Sequence, residues 1–263
     1  MEIKQIPHSI FGLIGERLDY SFSRSYFSNK FEELGLKDHH YRNFEIAHED
    51  DLVSFRESVT YNKRQRTTQG KHEIIRGLNV TIPYKQSVFK IMDHVSDEAQ
   101  KIGAINTITI EDNVWIGHNT DAYGFGKGLE PFLPINSNAL ILGTGGASMA
   151  IAYTLEALSI PYLKVSRDPQ DEHTIDYKSI NKNVLDQIGL IVNTTPLGTH
   201  PDVSGKPAIP YEHLNGSHVL FDLVYNPPTT LFMKLGLQHG ARVSNGYQML
   251  VHQAEKAWEL WNN

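Results

Sequence analysis

The chain contains no cysteine, which removes disulfides, thiolate metal sites and a cysteine nucleophile together. No stretch approaches the roughly 18 consecutive apolar residues of a membrane-spanning helix. The start, Met-Glu-Ile-Lys-Gln-Ile-Pro-His, lacks the apolar core of a signal peptide. Positive charge is in deficit: 24 Lys and Arg against 30 Asp and Glu leave −6. That balance gives no broad attraction to nucleic acid or to an anionic membrane. The 13 histidines are scattered without a ligand spacing such as His-Glu-x-x-His, so no metal is expected. Internal repeats and low-complexity tracts are also missing. What remains, 263 residues with 40% hydrophobic and 21% charged side chains, has the length of two ordinary domains and the composition of a soluble globular protein. A cytoplasmic enzyme is the expectation, as a monomer or homodimer.

Short strand-like and helix-like stretches alternate through the first half. Ser9 to Gly15, Tyr41 to Ala47 and Ile74 to Ile82 are rich in β-branched and aromatic residues. His48 to Arg64 reads as helix plus loop. Ile105 to His118 reads as a hairpin, with Asp112-Asn113 at its turn. Asp121 to Leu133 has helical character despite Gly124, Gly126 and Gly128. Each glycine weakens a helix by about 1 kcal/mol relative to alanine, so close packing or a close backbone approach is expected to account for them.

The second half repeats a simpler rhythm. Ala139 to Leu142, Tyr162 to Val165, Leu190 to Asn193 and Val219 to Val224 are apolar runs suited to buried parallel strands. Helical spacing fits Ala147 to Leu158 and Thr229 to Gln238, which makes the βαβ pattern of a doubly wound sheet. In the last segment, Gly246 to Trp261, residues Leu250, Ala254, Ala257, Trp258 and Trp261 share one helical face. This helix is expected to return to the first domain. The fold class is therefore α/β: an N-terminal α/β substrate domain plus a Rossmann-like doubly wound parallel sheet. The expected boundaries are 1–118 with 238–263 for the substrate-binding and catalytic domain, and 119–237 for the dinucleotide domain.

Three motifs carry chemistry: Asn79-Val-Thr-Ile-Pro-Tyr-Lys85, Asn119-Thr-Asp121 and Gly143-Thr-Gly-Gly-Ala-Ser148. The glycine loop follows one strand and precedes one helix, the context that a phosphate cradle requires. Gly143 permits the tight turn, Gly145 and Gly146 let backbone approach an oxygen-rich ligand, and helix-terminal amides face it. At the end of the next strand stands Val165-Ser-Arg-Asp168. A carboxylate there suits the ribose hydroxyls of NAD, whereas arginine suits a 2′-phosphate, so Ser166 and Arg167 favour NADP and Asp168 leans the other way.

Taken together, the ordered motifs Ser21-Phe-Ser23, Asn79 to Lys85, Gly103-Ala-Ile-Asn-Thr107, Asn119-Thr-Asp121, Gly143 to Ala147, Asn193-Thr-Thr-Pro196 and Gln248 to Gln253 resemble the shikimate dehydrogenase family over nearly the whole chain. The resemblance implies NADP-linked, reversible reduction of 3-dehydroshikimate to shikimate in aromatic amino-acid biosynthesis. It implies Lys85 as acid/base and Asp121 as its partner. Ser21 and Ser23 would bind the substrate carboxylate, with Tyr225 approaching that side, while Thr81, Asn106 and Gln253 would read ring hydroxyls. Gly143, Thr144, Gly145, Gly146, Ala147, Ser166 and Arg167 would hold the cofactor, and Leu223 and Gly246 would lie along its nicotinamide. Each residue also has a plain structural reading, such as a turn, a cap or a surface ion pair worth about 0–1 kcal/mol.

The chain departs from the family pattern in places. Tyr20 and Arg24 flank the paired serines where histidine and proline are usual, and Ala122 follows Asp121 where glycine is usual. Thr144 and Thr199 replace a common alanine and methionine, and Ser166-Arg167-Asp168 stands for Asn-Arg-Thr. None removes a group with a chemical role. Three alternatives stay open: an NAD-using quinate/shikimate dehydrogenase, a non-catalytic sensor of shikimate and NADP, and an unrelated Rossmann reductase, which would leave the first-half motifs unexplained.

Overall fold

The computed structural model describes residues 8–18, 21–64 and 73–263; Tyr20 lies outside them. The chain divides into two units, Met1–Thr120 with Lys256–Asn263, and Asp121–Glu255.

The first unit contains β1 (His8–Gly15), α1 (Phe22–Glu33), β2 (His39–Glu45), α2 (Asp51–Arg64), β3 (Glu73–Val80), β4 (His94–Val95), α3 (Asp97–Ile102), β5 (Thr107–Glu111) and β6 (Val114–His118). Its strands form one sheet in the order β2-β1-β3-β5-β6-β4. β2, β1 and β3 are parallel, and β5 turns back antiparallel to both β3 and β6. The hairpin turn is the expected Asp112-Asn113 pair. Both have positive φ, 47° and 70°, the left-handed pair that matches the twist of the flanking strands. On one side the core gathers Ile14, Leu52, Leu78, Val80, Ile105 and Trp115. Phe11, Phe27 and Phe31 pack, tilted or edge-on, against Trp258 and Trp261 from the C-terminal helix. Only the last part of that helix, from Lys256, groups with this unit. The Trp261 indole donates to the Ile108 carbonyl at 3.0 Å, and its ring occupies the space where a Cβ on Gly77 would stand.

The second unit contains α4 (Asp121–Leu129), β7 (Asn138–Leu142), α5 (Gly146–Ala157), β8 (Tyr162–Ser166), β9 (Thr174–Asp176), α6 (Lys182–Leu185), β10 (Ile188–Asn193), β11 (Val219–Asp222), α7 (Leu231–Gln238), β12 (Arg242–Ser244) and most of α8 (Tyr247–Asn262). Its six strands are all parallel, in the order β12-β11-β10-β7-β8-β9. Numbered within the unit this is 6-5-4-1-2-3, the doubly wound arrangement, and the order reverses between β7 and β10. Buried on both faces, the central strands need apolar residues at consecutive positions. Leu140, Leu142, Ile191 and Leu220 face a core with Phe232; Ala139, Ile141, Leu190, Val192 and Phe221 face another with Phe125 and Ile151.

Two of the three helical glycines of α4 are packing devices, while a Cβ on Gly126 would meet only Thr154 at an ordinary 3.5 Å. A Cβ on Gly124 would stand 2.6 Å from the Met249 carbonyl, and one on Gly128 would stand 3.1 Å from the Phe221 ring. The helix can only lie this close to α8 and β11 where those side chains are missing.

Candidate active site

In the first unit the loop after β3 is held from several directions. The Thr81 amide donates to Ile14 O at 2.9 Å, the Tyr84 amide to Thr81 O at 3.0 Å, and the Ile105 amide to Lys85 O at 2.7 Å. Tyr84 is buried, and its hydroxyl donates to Ile46 O at 2.5 Å. Lys85 therefore sits on a loop of fixed course, its side chain half-buried. Ser21 caps α1 by accepting from the Arg24 amide at 3.3 Å, so this hydroxyl has a structural task alongside its expected one.

A string of polar side chains links other expected residues of this unit. The hydroxyls of Ser23 and Tyr41 are hydrogen-bonded. Tyr41 donates to Asn79 Oδ1 at 2.7 Å, and Asn79 Nδ2 donates to Thr107 Oγ1 at 3.3 Å. Asn106 Nδ2 donates to Thr120 Oγ1 at 3.0 Å while its Oδ1 accepts from the Thr120 amide at 2.7 Å. Asn119 Nδ2 ties the same turn to Ala104 O at 2.8 Å. Buried polar groups of this kind persist where each finds a partner, and these do. Burial pushes the Tyr41 phenol well above its ordinary range. Asp121 follows Thr120 directly and opens α4.

In the second unit the glycine loop bridges β7 and α5. Gly143 has φ +118°, outside the range of L side chains, and a Cβ there would stand 2.6 Å from Thr194 Oγ1. Gly145 is the N-cap of α5 without a capping side chain, and no atom lies within 4 Å of a Cβ built on it. The start of this 12-residue helix thus lacks a side-chain cap, and the space beside Gly145 is open, which fits a phosphate. Thr144 is exposed, while Gly146 and Ala147 form the first turn of α5. Beside the loop, Gly143 N donates to Val165 O at 2.9 Å, which brings Ser166 to its flank. Ser166 Oγ accepts from the Asp168 amide at 3.1 Å, closing a tight turn on which Arg167 is exposed. Burial raises the Tyr177 phenol, and the Arg167 charge pulls it down.

Leu223 and Gly246 are brought together. Gly246 lies so close that a Cβ would collide with the Leu223 carbonyl. Gln253 is buried on α8, where its Cβ stands 3.0 Å from one built on Gly124; Tyr225 is half-buried.

Sequence reasoning passed over one group. Asp222 is fully buried. Its Oδ1 accepts from Asn193 Nδ2 at 2.9 Å and the Val224 amide at 3.0 Å, and its Oδ2 from Thr230 Oγ1 at 2.5 Å. Burial pushes this carboxyl up from the aspartate range, and the three hydrogen bonds pull it back. The available signal was an aspartate inside the apolar run Val219 to Val224.

A family model described as the shikimate dehydrogenase substrate binding domain matches residues 13–108. The shikimate dehydrogenase (NADP(+)) of Clostridium beijerinckii is 39% identical over 259 residues, covering 95% of this chain and 91% of that protein. Among solved structures, a chorismate mutase/shikimate 5-dehydrogenase fusion protein from Clostridium acetobutylicum is 36% identical with a TM-score of 0.82, covering 98% of this chain and 91% of the other. The shikimate 5-dehydrogenase of Thermus thermophilus, solved in complex with NADP(H) and shikimate, is 30% identical with a TM-score of 0.79, covering 96% and 92%.

Proposed function

The chain belongs to the shikimate dehydrogenase family, and from that premise we propose that it catalyses the reversible, NADP-linked interconversion of 3-dehydroshikimate and shikimate. The observation that carries this reading is the near full-length similarity to a relative bearing that activity and cofactor in its name. The proposed cofactor residues are Gly143 to Ala147 at the pyrophosphate, Ser166 and Arg167 at the 2′-phosphate, and Leu223 and Gly246 beside the nicotinamide. The open, uncapped start of α5 and the exposed guanidinium of Arg167 fit such a ligand. NADP(H), when bound, supplies or accepts the hydride.

The chain's own residues handle the proton and the charge. When the ketone carbon gains a hydride, its oxygen becomes an alkoxide that a nearby acid must neutralise. We assign that acid to Lys85: its ammonium donates a hydrogen bond to the oxygen and then the proton, so C=O becomes C–O–H and the amine is left neutral. In the other direction the neutral amine takes the hydroxyl proton as the hydride departs. Asp121 is assigned to keep the ammonium charged and oriented. The support is local. The Lys85 backbone is anchored through Ile105, the neighbouring Asn106 holds Thr120, and Asp121 is the next residue. Ser21 and Ser23 offer hydroxyl donors suited to a carboxylate; Thr81, Asn106, Gln253 and Tyr225 offer groups suited to a polyol ring. The substrate is thus a small anionic polyol.

The test is a four-way assay of the purified protein, NADP or NAD with shikimate or quinate. NADP with shikimate should give the highest kcat/KM. Preference for NAD with quinate would move the protein to the quinate-using branch, and binding without turnover would make it a sensor.

A further inference from the structure

The buried carboxylate of Asp222 touches three segments that each end at the carboxyl edge of the second sheet. Asn193 closes β10, Val224 follows β11, and Thr230 caps α7, where its Oγ1 also accepts from the Met233 amide at 3.3 Å. Two routes lead outward from it. Through Asn193, whose Oδ1 accepts from Thr195 N at 3.1 Å and Thr195 Oγ1 at 2.7 Å, it fixes the turn that carries Thr194. Thr194 in turn donates to Leu142 O at 2.8 Å and packs against the Cβ-less face of Gly143. Through Val224 it fixes the strand end that presents Leu223, whose amide donates to Asn193 O at 3.0 Å and whose carbonyl rests on Gly246.

We propose that Asp222 is a positioning residue for NADP(H) that sets the glycine loop and the Leu223–Gly246 contact with one carboxylate. The proposal rests on the reading of this unit as the nucleotide-binding part. A fully buried carboxylate is costly to desolvate, and helix capping alone does not require one: Thr230 already caps α7 with its own oxygen. Two of the three donors hold the ends of β10 and β11, and β10 borders the β7–β10 reversal of the sheet, where open α/β sheets bind their ligands. Misplacing such a scaffold weakens binding without removing any group that touches the ligand.

The experiment measures NADP(H) dissociation constants and melting temperatures for wild type, Asp222→Asn and Thr230→Val. Asp222→Asn should weaken NADP(H) binding about tenfold or more, the effect of loosening one strong hydrogen-bond node. Thr230→Val removes the α7 cap and the donor to Asp222 Oδ2 but leaves the Oδ1 bonds to Asn193 and Val224, on which both outward routes run; it should lower the melting temperature yet leave the dissociation constant within about twofold. If Asp222→Asn does not fold, Asn193→Ala tests the same route and should give the same tenfold loss. Unchanged NADP(H) affinity in folded Asp222→Asn, or equal losses in Asp222→Asn and Thr230→Val, would overturn the assignment. A wild-type protein that binds no NADP(H) would instead refute the nucleotide-site reading.

Discussion

Two glycines of the same loop should fail in opposite ways when given a methyl group. Gly143→Ala forces an L residue to hold φ +118°, a strain of about 1–3 kcal/mol. Its Cβ would also arrive 2.6 Å from Thr194 Oγ1, and displacing that hydroxyl breaks its 2.8 Å bond to Leu142 O, a further loss of about 1 kcal/mol. The sum, about 2–4 kcal/mol, corresponds to a melting temperature lower by about 4–16 °C for a domain of this size. Gly145 has ordinary φ, −81°, and open space around its missing Cβ. Gly145→Ala should therefore cost about 0.5 kcal/mol at most, from the weaker N-cap, and the fold should hardly notice it. Its methyl group would stand in the space assigned to the pyrophosphate, so NADP(H) affinity should fall by about tenfold or more. Thermal melting with and without NADP(H), with titration of each folded variant, separates the two effects. A Gly145→Ala protein with wild-type affinity would refute the phosphate cradle. A Gly143→Ala protein with an unchanged melting temperature would refute the steric argument.

Other consequences follow from the same geometry. Arg167→Ala should weaken NADP binding by about 1.5–3 kcal/mol, the range of a charge-assisted contact, and NAD binding far less; equal losses would remove Arg167 from the 2′-phosphate. The Asp93 carboxyl is held below its usual range, first by Arg56 at 2.6 Å and then by the Trp115 amide at 2.8 Å. A depressed carboxyl stabilises the fold above the pKa of the unfolded chain, and that contribution fades as pH drops through the folded value. Asp93→Asn should therefore melt below wild type at neutral pH, and the gap should close on acidification below about pH 4. A gap that widens in acid would reverse that sign.

Much of the fold was legible because its signals are local. The central strands β7, β10 and β11 announce themselves as continuous apolar runs, Asp112-Asn113 marks a hairpin, and α8 shows its stripe ending in Trp258 and Trp261. The short strands β4, β9 and β12, of two or three residues each, were not, because pairing with a neighbour makes them and propensity does not. α1 also escaped notice. It buries only Phe27 and Phe31, a pair that becomes an apolar face only once Phe11 and Trp261 pack against it.

The candidate site divides in the same way. Glycine loops and the Lys85 and Asp121 motifs are written in residue type and spacing. Tyr41, by contrast, read only as a strand residue, and its bonds to Ser23 and Asn79 exist only after β2 has paired with β1. Asp222 became visible as a node once β10 and β11 lay side by side.

The central chemical claim is that Lys85 manages the proton of an NADP-linked shikimate oxidation. It is tested most directly by measuring NADPH formation from shikimate in wild type beside Lys85→Ala. The wild type should turn over, and the variant should lose about 100-fold or more, the scale of general acid–base catalysis. Shikimate affinity should change much less, since Ser21, Ser23, Asn106 and Gln253 remain. A Lys85→Ala protein that turns over at a near-normal rate, or a wild type that forms no NADPH, would contradict it.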